Sequence, residues 1–201
     1  MTDMPKTPRG IKGLISRYEK ALRYEKRTYG DFIDGAGLRY TIGPLYLLMD
    51  DVDSALKSFR WFEKNFPDDV GDPLQYLCWS LTLFKKGKLK EAENKLIQTM
   101  LLNLYLIPAI LGKAQDQKDI YHDSSSEDKL YIDYIPPEYE KLWDNESRIW
   151  LTQTCESERF RKYRERNIEL RILLEKEPIG SARNKLVNQL SELSSLKYLA
   201  E

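Results

Sequence analysis

The chain has 201 residues, with 32 Lys plus Arg against 32 Asp plus Glu, so its formal net charge is zero. That balance argues against a general polyanion coat or a basic membrane-surface protein. Hydrophobic residues at 41%, aromatics at 11% and 13 tyrosines exclude a disordered chain and suffice for one domain, or one domain with an appended lobe.

The first residues, Met1 to Gly10, lack the apolar stretch of a secretory signal. Nearly every long segment after them carries the helical period, and none alternates like a strand. Ile11 to Tyr29 places Ile11, Leu14, Ile15, Tyr18 and Leu22 on one side. The glycines of Gly30 to Gly37 interrupt it, and a short apolar helix, Leu38 to Met49, follows. Asp50, Asp51 and Asp53 suit the first turn of a helix from Val52 to Phe66, which Pro67 stops. Asp72-Pro73 opens a helix to about Lys86, because an acceptor at the cap is followed by a proline whose missing donor costs nothing there. Gly87 separates it from a helix over Leu89–Leu102, and Asn103 and Pro108 frame a short one closing at Gly112. The most apolar run, Met100 to Gly112, is too short for a membrane span of about 20 residues. Ser124 to Asp128 reads as overlapping capping boxes for a short helix to Tyr134. Pro136-Pro137 opens a helix bearing Tyr139, Leu142, Trp143 and Trp150, and another spans Glu156 to Glu175. Ser181 caps a last helix carrying Leu186, Leu190, Leu193 and Leu196.

The paired helices repeat. With Pro67 on the proline near the end of a repeat of about 34 residues, Ile42-Gly43, Tyr46, Ala55 and Phe59 fall on its remaining marked sites. A second copy from Pro73 puts Tyr76, Leu83, Gly87, Ala92 and Leu96 on the same pattern, with Trp79-Ser80 where leucine–glycine is usual. Over residues 36–112 the chain therefore resembles the tetratricopeptide-repeat family. The resemblance implies an all-α superhelix of two helical hairpins, flanked by an N-terminal helix and several C-terminal helices. The expected divisions are a basic N-terminal helix (1–35), the repeats (36–115), an acidic connecting segment (116–137) and a C-terminal helical extension packing on the repeats (138–201). In this family the first helices line a concave face, which puts Tyr40, Leu47, Leu77, Leu81 and Phe84 in one apolar groove. Either the chain's own tail fills that groove, with Leu186, Leu190 and Leu193 as first candidates, or a partner helix or peptide does. Tyr40, Pro44, Leu74 and Cys78 stand where some members hold a terminal carboxylate with lysine and asparagine, so that clamp is not expected.

Catalytic chemistry is poorly supported. His122 lies in a polar segment without a nucleophile at hand, and reads as a surface histidine. Gly35-Ala36-Gly37 lacks the strand and lysine of a phosphate loop, and the acidic pairs sit where helix capping accounts for them. Cys78 and Cys155 match no metal spacing and fit a reducing compartment. No catalytic residue, metal or cofactor is expected, and the localisation expected is cytoplasmic.

Charge is unevenly spread. Lys6 to Arg27 holds eight basic residues against two acids, whereas Asp31 to Asp72 holds nine acids against four bases and Asp116 to Glu146 ten against three. Lys12, Arg17, Lys20, Arg23, Lys26 and Arg27 form a candidate basic patch that either pairs with the acidic helices or meets phosphates or an acidic partner. The expected function is a non-enzymatic scaffold that binds a partner helix or peptide in the apolar groove. The alternative is a nucleic-acid-associated protein using the basic helix.

Overall fold

The computed structural model describes residues 4–113 and 115–196. The protein is all-α: every regular element among the described residues is an α-helix or a 3₁₀ turn. Helix α1 spans Pro8–Tyr29. Thr7, in extended conformation, accepts from the Gly10 amide at 3.2 Å, and Pro8 takes the first turn where no donor is needed. Gly30, at φ +77°, ends the helix in the left-handed region that glycine enters without steric cost.

Two helical hairpins follow. The first pairs α2 (Leu38–Leu48) with α3 (Val52–Asn65), and the second pairs α4 (Pro73–Lys85) with α5 (Leu89–Leu102). Asp51 and Asp72 cap α3 and α4, each accepting from the amide three residues on at 3.0 Å. Small residues set the spacing within each hairpin. A Cβ built on Gly43 would lie 2.3 Å from the Phe59 ring, and Ser80 donates to the Ala92 carbonyl at 2.9 Å with neither residue exposed.

Helix α6 (Leu106–Ile110) begins where the Asn103 side chain accepts from the Tyr105 and Leu106 amides. The segment after it departs from the sequence expectation. In place of a capped helix there are two 3₁₀ turns, Ser125–Glu127 and Lys129–Tyr134. The capping box does not form: Glu127 pairs with Arg171 and reaches back to the Asp123 amide rather than to Ser124, the Ser124 hydroxyl meets that of Ser126, and Asp128 caps the second turn. Nor does Pro136-Pro137 open a helix. A 3₁₀ turn at Glu140–Leu142 comes first, and α7 (Asn145–Glu156) starts only where Asp144 accepts from Ser147 at both its amide and its hydroxyl. Helix α8 (Glu158–Lys176) is capped by Ser157, and α9 (Ser181–Ser194) begins after Gly180, so Ser181 lies inside it rather than at the cap.

Most apolar side chains share one core. It runs through α3 to α6 and takes in Leu151, Phe160, Tyr163, Leu170 and Leu193 from the three C-terminal helices. A smaller core, built by Ile11, Leu14, Ile15 and Leu22 against Ile42 and Leu45, fixes α1 on α2. No helix among the described residues is long and apolar enough to cross a membrane.

Candidate interaction surface

The groove expected on the first helices is covered by the chain itself. Leu47, Leu77 and Leu81 are 0%, 1% and 0% exposed, so none is available to a partner. Phe84 stacks on Trp150 of α7 with centroids 4.8 Å apart. At the other end of α4, the Tyr131 hydroxyl donates to the Asp72 carboxylate at 2.8 Å, bringing the acidic connecting segment against the helix start. Tyr139 is 2% exposed, and burial, with smaller contributions from Cys78, Glu138 and Asp72, raises its phenol well above the ordinary value. The fifth position, Tyr40, is tied into a polar cluster: its hydroxyl donates to Asp69, and Arg39 pairs with both Asp69 and Asp34. Tyr131 and Trp150 thus close the two ends of α4, while Leu77 and Leu81 lie in the core that α4 shares with α5. Of the candidates in α9, Leu193 is 1% exposed within the shared core, while α9 packs chiefly on α8.

What clamps the cover is a buried ion pair that the sequence reading did not single out. Arg171 on α8 donates to both oxygens of Glu127 at 2.6 and 2.9 Å, to Asn167, and to the backbone carbonyls of Tyr121 and Leu101. Its side chain is only 6% exposed, so every donor has to be matched. His122 likewise departs from expectation, since both ring nitrogens are buried rather than at the surface. Burial pushes the Cys155 thiol up to about 12 and Cys78 higher, which disfavours the reactive thiolate at both. No group of three His, Cys, Asp or Glu among the described residues is placed to hold a metal.

The basic patch, by contrast, faces water. Lys12, Arg17, Lys20, Arg23, Lys26 and Arg27 are all exposed. Helical geometry divides them. Lys12, Lys20, Arg23 and Arg27, joined by Arg9, fall within about 80° of one another on the side opposite Ile11, Leu14 and Leu22, and run about 27 Å along α1. Arg17 and Lys26 lie on its flanks, Arg17 by the Tyr18 ring and Lys26 paired with Asp31 at 3.4 Å. Arg23 approaches Glu19 at 3.5 Å, whereas Arg9, Lys12, Lys20 and Arg27 make no ion pair among the described residues. Comparison with protein families, curated proteins and solved structures finds no match to this chain. Its surface therefore has to be read from its own chemistry. Arg9 is counted in the basic run but stands outside the expected patch, and grouping the charges by helical face brings it in. The internal-pairing explanation of these charges accounts for Arg23 and Lys26 alone.

Proposed function

We propose that the protein is a non-enzymatic scaffold of tetratricopeptide-like hairpins that docks an acidic protein segment on the outer face of α1. The observation that carries this reading is the row of Arg9, Lys12, Lys20, Arg23 and Arg27, exposed along one face and largely unpaired. Holding like charges side by side disfavours the folded chain, and an anionic partner relieves it. The close approach of Gly43 to Phe59 supports the repeat assignment. The covered apolar positions move docking away from the concave groove and onto α1. Two free thiols, Cys78 and Cys155, fit a cytoplasmic setting.

A nucleic acid is the weaker ligand for this face. Its phosphates continue beyond 27 Å, and past the C-terminal end of the strip stands the exposed Asp31 carboxylate beside Lys26. A short acidic segment meets the strip without overrunning it. The test compares the protein with a Lys12→Glu, Lys20→Glu, Arg27→Glu variant, using oligoglutamate and single-stranded oligouridine at two salt concentrations. Oligoglutamate binding that the variant loses, with helical circular dichroism retained, is the expected result. Oligouridine binding more tightly, with the steeper loss in salt, would transfer the surface to nucleic acid.

A further inference from the structure

The basic strip borders a preformed pocket. Between α1, α2 and α3 lies a cavity of about 400 Å³, floored by Leu22, Phe32, Ile42 and Trp61 and rimmed by Arg23 and Lys57. A second hollow joins Phe32 to Arg23, Lys26 and Arg27, so the aromatic floor continues onto the charged face. The floor is rigidly held. Phe32 meets Trp61 edge-on at 5.2 Å and Phe66 at 5.5 Å. The loop that carries Phe32 is fixed by Glu25, whose carboxylate accepts from the Ile33 and Asp34 amides at 3.1 and 2.9 Å. Asp34 in turn accepts from the first two amides of α2. Glu19, the carboxylate in the wall, is already engaged by the Tyr46 hydroxyl at 2.9 Å and by Arg23.

Resting on the docking surface assigned above, we propose that this pocket takes one large apolar side chain of the acidic partner segment, flanked by its carboxylates on Arg23, Lys57 and the strip. Two features choose that occupant. The volume and the apolar floor suit a single tryptophan, phenylalanine or leucine, and the cationic rim selects acids on either side of it. A floor fixed before binding loses little side-chain freedom on association, so an anchor there contributes more than contacts along the open strip.

The experiment pans a random peptide display library over the full-length protein, then measures the consensus as a synthetic peptide. Enriched sequences are expected to place Trp, Phe or Leu among Asp and Glu. Replacing that residue by alanine should weaken binding about tenfold or more. Ser58→Trp, which fills the pocket from α3, should weaken the consensus peptide comparably and leave the alanine peptide unchanged. The peptide-side substitution carries the test even if Ser58→Trp fails to fold. Acidic peptides that share no apolar residue, or an alanine peptide of equal affinity, would overturn the pocket assignment and leave docking on α1 standing. Enrichment without acidic residues would overturn both.

Discussion

At the scale of single residues, two positions concentrate the most consequence. Gly43 faces Phe59 so closely that a β-carbon has no room, because Phe59 is itself 1% exposed and hemmed in. Gly43→Leu should therefore destabilise the chain by about 2 kcal/mol, the scale of overpacking a tight helix contact, read as a lower denaturation midpoint. An unchanged midpoint would mean that α2 and α3 do not approach as described. Arg171 is the other. Arg171→Met strands the Glu127 carboxylate in a site where its side chain is 12% exposed, a loss of about 3 kcal/mol. Adding Glu127→Gln should recover part of that loss, since the stranded charge is then gone. A double variant less stable than the single one would contradict this account.

At the scale of elements, α9 is the part most readily removed. It contributes Leu193 to the common core, and its end closes a cavity of about 330 Å³ beside Tyr76, Trp79 and Lys95. Truncation after Pro178 is expected to raise ANS fluorescence and lower the thermal midpoint while leaving α1 to α5 helical. A truncated chain that is equally stable and ANS-silent would make α9 an independent arm. Much of this architecture was legible in the sequence where the determinant is local. Asp72-Pro73, Pro67 and Gly30 mark helix ends by backbone chemistry that acts over three or four residues. The failures share the opposite cause. Glu127 looked like a capping residue because its partner, Arg171, stands 44 residues away. The chain's own tail was one expected occupant of the groove, but Leu186, Leu190 and Leu193 stood as its candidates because nothing in the spacing of Phe84 announces Trp150. The basic patch was half legible: its charge lies in one run, but Arg9 belongs to the strip and Arg17 and Lys26 to its flanks only once the run is wound into a helix.

At the scale of the whole molecule, phenols govern the alkaline limit of stability. Burial raises Tyr46 and Tyr76 to about 12, and burial joined by the Asp69 carboxylate raises Tyr40 further. Tyr131, beside Asp72, and Tyr139 are raised as well, with burial the main cause in both. The unfolded chain gives up these protons near the ordinary value of about 10, so above that pH it binds fewer protons than the folded one and stability falls as pH rises. Lys95 acts in the opposite sense: burial lowers it, so its contribution grows with pH up to the ordinary 10.5. Five phenols outweigh one ammonium. Titration should show tyrosinate absorbance and loss of helical circular dichroism rising together above about pH 10. Full ionisation of the tyrosines with the helices intact would refute it.

The cover over α4 also has a history in time. Leu77 and Leu81 leave the ribosome well before Trp150, and the carbonyl of Leu101 waits 70 residues for the guanidinium of Arg171. At about 5–20 residues per second, that interval is roughly 4–14 s. During it the nascent hairpins present an apolar face with nothing of their own to lay across it. The order of synthesis thus leaves Phe84 without its stacking partner until α7 has emerged. A synonymous pause between residues 102 and 150 should lower its soluble yield without changing a single amino acid.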